Sequence, residues 1–361
     1  MNIHFIWGLI SGSLITILTK FLLEEPLTFL IKKIASILHI KIRSSRIKHN
    51  IHDQHYFRLG SKKTNFYVVE GNGLISYLKN GVNVVLDSEP ILLPSEIQEI
   101  CTNEYESVSR KAKWNGTLFT LQDYRIDRTH DENNMVIQLD FKKSNYYTFS
   151  TLNLNLDKSR EELNSQTIRQ TYLSMNDTSE VVEEVVPFLA NGFGIAVLVF
   201  TKDNKFILSR RSMQCNARPG EYDVTIVESV NEKDIIGSNK MDLYNTVTRG
   251  IEEELGLSIQ KEKVTFLGFG VDMDYYQWNM VGIVDLSKDY MSDEILNARS
   301  MGAEGKWENK EFIALSMKDL QRKVIDPGEM WGMGLVTLYW GLKYKNYINS
   351  KEDEDLLSTF F

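Results

Sequence analysis

The chain has 361 residues, 42% of them hydrophobic and 25% charged, with a formal net charge of −8, which allows a full core and excludes the composition of a disordered chain. Residues 1–50 carry seven Lys/Arg against two Glu, about +5, leaving about −13 for the rest; an acidic globular part argues against a nucleic-acid polymer as ligand, because such binding rests on Lys and Arg neutralising phosphates, and leaves a small nucleotide with a divalent metal compatible. Two cysteines, Cys101 and Cys215, exclude a disulfide framework, and neither has the spacing of a zinc site.

From Ile3 to Leu23 the chain reads IHFIWGLISGSLITILTKFLL, with Lys20 its one charge. At a rise of ~1.5 Å per residue this stretch covers roughly 30 Å, the thickness of a bilayer core, and is expected to be a single membrane span. A cleaved signal peptide is the alternative, although the basic leader and small-residue cleavage site are missing, and a buried core helix is another. After Glu24, Glu25 and Pro26, apolar Leu27, Leu30, Ile31, Ile34, Ile37, Leu38 and Ile42 recur at helical spacing, which predicts an amphipathic helix lying on a surface or packed. Lys32, Lys33, Lys41, Arg43, Arg46 and Lys48 all follow the span, so the positive-inside rule places residues 50–361 in the cytoplasm of a single-pass protein. Gly8 and Gly12 form a G-x-x-x-G that suits close helix pairing in a homo-oligomer, though glycine is common in such helices anyway.

Between His49 and Pro187 there is no linker, repeat or low-complexity run. NFYVVEG, NVVLDSE, TLFTLQDYRI, MVIQLDF and YYTFSTLNL read as strands, and helices are expected from Ser95 to about Lys113 and from Ser159 to Met175. After Pro187, GIAVLVF (194–200), the turn TKDNK and FILSRRS (206–212) predict a hairpin. ARPGEYDVTIVESVNEKD leads to a helix from about Asp242, its possible N-cap, to Leu255, with Gly256 as C-cap. VTFLGFGVD and WNMVGIVDL are further strands, and a last helix is expected near Trp331–Tyr347. The expected divisions are 1–48 (span plus basic helix), 49–189 (an N-terminal lobe), 190–347 (the main domain) and 348–361 (a tail).

TVTRGIEEELGL (246–257) resembles the core of the Nudix box, REUxEExGU with U a bulky aliphatic, with Arg249, Ile251, Glu253, Glu254, Gly256 and Leu257 on its positions. The strand, turn, strand ending in SRRS and PGEY segment ahead of it are similar to the run of such domains. The resemblance implies a Nudix-type α/β (α+β) fold, a mixed-sheet α/β/α sandwich, here with an extra N-terminal lobe and an N-terminal transmembrane helix. It also implies Mg2+ or Mn2+ held by Glu253 and Glu254, and a metal-activated water attacking a pyrophosphate with Arg249 orienting Glu253. If the domain is active, Glu253, Glu254 and Arg249 are its catalytic residues.

Gly250 stands where the motif carries its first glutamate, and the upstream Gly-x5-Glu half is unrecognisable. Metal affinity is thereby weakened. Glu228, Glu232 and Asp234 are candidate replacement acids, or else solvated loop residues. A glycine inside a helix costs roughly 1 kcal/mol against alanine, so close packing or a ligand should favour it. The bland reading of EEEL is an exposed acidic helix face. Arg210 and Arg211 are candidates for gripping phosphates, or ordinary strand-end arginines. Tyr276, with Tyr275 and Trp278, is a candidate for stacking on a base, or for core and rim packing.

A membrane helix joined to a Nudix domain with an altered box also resembles the membrane-anchored Nudix effectors of bacterial CBASS anti-phage systems. That resemblance implies a sensor of a small nucleotide or cyclic oligonucleotide acting on the lipid bilayer as a homo-oligomer. The alternative is a membrane-tethered, metal-dependent hydrolase of a nucleoside diphosphate derivative.

Overall fold

GIAVLVF is apolar at every position because the strand it forms is covered on both faces. Side chains alternate across a strand, and here Ile195, Val197 and Val199 enter one hydrophobic cluster while Ala196, Leu198 and Phe200 enter another. A near-continuous apolar run is what a strand with two covered faces requires.

The computed structural model describes residues 55–111, 114–128, 134–173, 180–215, 217–237, 240–302, 308–325 and 328–361. The expected membrane span, the amphipathic helix and Gly8 with Gly12 lie outside them, and among the described residues no helix is long and apolar enough to cross a membrane. In chain order the elements are β1 (Tyr56–Leu59), β2 (Lys62–Gly71), β3 (Ser76–Pro90), α1 (Ser95–Lys111), β4 (Thr117–Arg128), β5 (Asn134–Asn145), α2 (Tyr146–Leu152), β6 (Gly194–Phe200), β7 (Phe206–Arg211), β8 (Tyr222–Val224) and β9 (Ile226–Ser229). They continue as β10 (Ile235–Ile236), β11 (Lys240–Met241), α3 (Leu243–Leu255), β12 (Val264–Asp272), β13 (Gln277–Asp285), α4 (Ser292–Gly302), β14 (Asn309–Leu315), α5 (Met317–Gln321), α6 (Gly332–Tyr344) and α7 (Lys351–Phe360).

The larger sheet runs β1-β2-β12-β13-β6-β7-β14, with β9 also on β6 and β8 on β7; the smaller runs β10-β11-β3-β5-β4. Both are mixed, since β6 lies parallel to β13 and β3 parallel to β5. Helix α3 puts Val247, Ile251 and Leu255 into the first cluster, which also takes Ile137, Leu139 and Phe141 of the smaller sheet. Helix α6 puts Leu335, Val336 and Leu338 into the second cluster. The larger sheet is therefore sandwiched between α3 with the smaller sheet on one face and α6 on the other, the mixed α/β architecture expected.

Four sequence expectations change. YYTFSTLNL was expected as a strand from its β-branched and aromatic residues, yet Tyr146–Leu152 is helical: the Asn145 side chain accepts from the Thr148 amide at 3.0 Å, an N-cap that outweighs weak β propensity. Ser159–Met175 does not form one helix over its described part. Glu161–Leu163 and Arg169–Leu173 are separate turns, divided by Asn164 and Ser165 at φ +52° and +65°, a conformation no helix continues through. The tail 348–361 contains α7, whose Leu357 and Phe360 are buried with Phe361 in the second cluster. The division at residue 190 is crossed by backbone pairing, because β2 joins the larger sheet alongside β12, and residues 52–361 form one compact unit.

Candidate functional site

The β6–β7 hairpin is paired only near its turn, at Val199↔Ile207 and Phe200↔Phe206. Beyond that the two strands part; β9 pairs with β6 (Gly194↔Ser229) and β8 with β7 (Arg210↔Tyr222). With Asp272↔Gln277, Asn279↔Gly194 and Arg211↔Asn309, these registers bring the ends of β7, β9 and β12 and the starts of β6, β8, β13 and β14 to one end of the sheet. Two arginine-centred clusters of buried charge stand there.

The first is set by α3. Asp242 caps its start, accepting from the Tyr244 amide at 2.9 Å, and Gly256 ends it at φ +68°, both as expected. With Val247, Ile251 and Leu255 in the core, Arg249 emerges beside β9. Its Nε and Nη2 donate to Asp234 at 3.1 and 3.2 Å, its Nη1 to Glu228 at 3.1 Å and Glu253 at 3.2 Å, and Nη2 also to the Ser229 carbonyl at 3.0 Å. A guanidinium has five N–H donors, and every nitrogen here is engaged. Asp234 is held in turn by the Asn231 amide at 3.0 Å. Burial pushes the Glu228 carboxyl up to about 8, against the pull of Arg249, with Glu308, Glu253 and Glu254 adding to the rise.

Gly250 has a packing reason. A Cβ there would stand 2.5 Å from Glu228 Cγ and 2.8 Å from Ile226 Cγ2. The side chain of Glu228, on β9, thus fills the space beside the helix that a side chain at position 250 would enter. Of the three replacement acids, Glu228 and Asp234 meet Glu253 around Arg249, while Glu232 is exposed with Lys143 3.8 Å away.

Adjacent on the helix, Glu253 and Glu254 point apart. Glu253 bonds Arg249 and, at 2.9 Å, Lys233. Glu254 is buried and accepts from Arg299 Nη1 at 3.2 Å and Asn309 Nδ2 at 3.1 Å; burial raises its carboxyl as well. Among the described residues no group of three or more His, Cys, Asp or Glu is arranged to hold a metal ion. Glu253, held by Arg249 as expected, and Glu254, held by Arg299, have different partners, so the expected Mg2+ or Mn2+ on this pair is not confirmed.

The second cluster was not found from the sequence. Arg218 has 8% of its side chain exposed, and its Nη2 donates to Asp272 Oδ2 at 2.7 Å. Its Cζ lies 3.6 Å from the Trp331 ring centroid and 4.9 Å from that of Tyr275. Its Nη1 is buried without a hydrogen-bond partner. Trp331 in turn donates to buried Asp223 at 2.8 Å. Burial pushes the carboxyls of Asp223 and Asp272 up, Arg211 leading the opposing pull on the first and Arg218 on the second. The sequence signals were Tyr275, a candidate for stacking, and Pro219-Gly220, which marks a turn, and neither speaks of a buried charge.

Arg211 lies beside both clusters: its Nη2 donates to Glu308 at 3.2 Å and its Nε to the Ala217 carbonyl at 3.1 Å. Arg210 is half-exposed, donates to the Gly220 carbonyl at 3.1 Å and packs on Tyr222. Both phosphate-gripping candidates therefore stand at the site and are spent on the turn that carries Arg218. Tyr276 is fully buried, its hydroxyl donating to the Val181 carbonyl and accepting from the Val186 amide at 3.0 Å; it and Trp278 lie in the core, where no base reaches them.

No family model and no curated protein matches the chain. Among solved structures it is similar to DR0079 from Deinococcus radiodurans, at 12% identity over 42% of this chain and 83% of that one with a TM-score of 0.30. It is similar also to a MutT protein from Methanosarcina mazei Go1, at 14% identity over 43% of this chain and 93% of that one with a TM-score of 0.28.

Proposed function

We propose that the chain is a membrane-anchored, nucleotide-binding sensor or effector whose Nudix-type cytoplasmic domain chiefly binds. In this reading it serves CBASS-type antiviral defence, takes a small cyclic oligonucleotide as its signal, and acts on the bilayer through N-terminal helices paired at Gly8 and Gly12. The observation that carries the reading is the Arg249 cluster. An arginine of the chain itself ion-pairs with Glu228, Asp234 and Glu253, so in this reading the acids that a hydrolase of this type would turn to metal serve instead to fix a helix against a strand. Such a domain is rigid where the chemistry would be, which suits recognition rather than turnover.

One observation favours the alternative, a tethered metal-dependent hydrolase of a nucleoside diphosphate derivative. The Glu228 side chain occupies the space at Gly250, so a carboxylate stands close to where the motif would place one. Liposomes carrying the full chain separate the two readings. Dye release triggered by a cyclic oligonucleotide, lost in Gly8→Leu/Gly12→Leu, is the expected result. Efficient Mg2+- or Mn2+-dependent phosphate release without leakage would replace the effector by the hydrolase.

A further inference from the structure

Arg218 is unlike Arg249. It stacks against Trp331 and Tyr275, gives one hydrogen bond to Asp272, and leaves Nη1 buried with no partner. Its backbone is left-handed at φ +52° immediately before Pro219, where proline disfavours a helical conformation. Two aromatic rings and a buried carboxylate thus contact a guanidinium that is itself poorly satisfied. We propose that Trp331, Tyr275 and Asp272 form a guanine-binding slot that Arg218 occupies in the free protein, and that a guanine base takes the place of its guanidinium.

The chemistry of the exchange selects the base. A guanidinium is a flat array of N–H donors that stacks on aromatic rings and points donors at a carboxylate. The Watson–Crick edge of guanine carries the same array, N1–H beside N2–H2 on one ring carbon. Adenine offers one donor group beside an acceptor, and uracil one donor between acceptors, so neither reproduces it. Stacking on aromatic side chains serves any base, so Asp272 makes the distinction. Its Oδ1 accepts from the Asp274 amide at 2.9 Å, which fixes the carboxylate while Oδ2 faces Arg218.

The displaced turn also frees hydrogen-bond donors for the rest of a nucleotide. Arg210 and Arg211 now donate from Nε to the carbonyls of Gly220 and Ala217, on either side of Arg218. Movement of that turn frees the Nε donors of both arginines for phosphates beside the slot, while Arg210 stays 3.5 Å from Glu311 and Arg211 3.2 Å from Glu308. This inference rests on the nucleotide-binding reading above and names the base.

The test uses the full chain with GMP, AMP and N1-methyl-GMP, followed by calorimetry. Arg218→Gly is the informative variant, because glycine accepts φ +52° without strain and removes the occupant. Relieved of an internal competitor, it should bind GMP about tenfold tighter than the native chain. AMP and N1-methyl-GMP should remain weak, and adding Asp272→Asn should remove the GMP gain. Equal affinity for GMP and AMP, in the variant or the native chain, overturns the slot and leaves the nucleotide reading standing. Stabilisation of Arg218→Gly by free guanidinium at millimolar concentration, without GMP binding, also overturns it, because Arg218 is then only a structural plug. Absence of any nucleotide binding to either chain removes both readings. Should Arg218→Gly not fold, the native chain decides alone: a tenfold preference for GMP over AMP that Trp331→Ala abolishes is expected, and no preference overturns the proposal.

Discussion

Arg249 and Arg218, whose side chains are 12% and 8% exposed, stand at the same end of one sheet, and they are held in opposite ways. Arg249 meets three carboxylates and a backbone carbonyl with all of its nitrogens. Arg218 meets one carboxylate and two aromatic rings, with a nitrogen left over. A buried charge that is fully hydrogen-bonded behaves as structure, since every movement breaks several bonds at once. One that is partly satisfied has less to lose on leaving. The comparison separates a lock from an occupant within one polar layer, and it can be broken from either side.

The largest effect is expected from breaking the lock. Arg249→Met leaves Glu228 and Asp234 without their cation and Glu253 with Lys233 alone, and removing one partner of a buried ion pair costs about 3–5 kcal/mol. Urea unfolding should register a loss of that size. Arg249→Lys should recover little of it, because a single ammonium cannot serve three carboxylates and a carbonyl. A loss below about 1 kcal/mol would show that the cluster is solvated and that Arg249 is no lock.

How much of this was legible depended on whether the cause was local. The apolar run of β6, the caps Asp242 and Gly256, and the spacing of Val247, Ile251 and Leu255 are all written within a few residues, and those elements stand where expected. Glu228 and Arg249 could be named, but their meeting depends on the register of β9 against β6, which no short window contains. Arg218 and Asp272 lie 54 positions apart and meet only after β12 ends beside the turn at Pro219. Tyr276 stands before a strand, where an aromatic residue reads as a base-stacking candidate or as core or rim packing, and its hydrogen bonds to Val181 and Val186 place it in the core. Long-range meetings of polar side chains leave no period to read.

The second effect is a pH dependence. The Glu228 carboxyl is raised by burial to about 8, above an unfolded carboxylate value of about 4. The folded state therefore binds this proton more tightly, and its contribution is fully present below the unfolded value and lost as pH rises toward 8. Burial raises Glu221, Asp223, Glu254 and Asp272 as well, with the same sign. Asp203 and Asp285 are held low by hydrogen bonds despite burial, so their contribution is lost only on acidification. Stability should peak near pH 5 and fall by about 2–4 kcal/mol toward pH 8.5. Glu228→Gln should remove much of that fall. A fall of the same size in the variant would assign it to the other acids.

The smallest effect is the most specific for the lock, because it concerns one hydrogen atom. Gly250→Ala in the interior of α3 gains roughly 1 kcal/mol of helix propensity. Against this, the new Cβ would sit 2.5 Å from Glu228 Cγ and 2.8 Å from Ile226 Cγ2. Neither atom is the free end of a flexible chain: Ile226 is buried on β9, and Glu228 is held at its carboxylate by Arg249. Overpacking of this kind costs about 1–3 kcal/mol, so the net result should be a loss of about 1 kcal/mol. In a Glu228→Ala background the first clash disappears, and the same substitution should cost less or become neutral. A double-mutant cycle therefore measures the contact directly, since coupling between touching residues reaches about 0.5–3 kcal/mol whereas distant sites add within about 0.5 kcal/mol. Coupling near zero would mean that Glu228 does not fill the space at Gly250, and the account of why this helix carries a glycine there would fail.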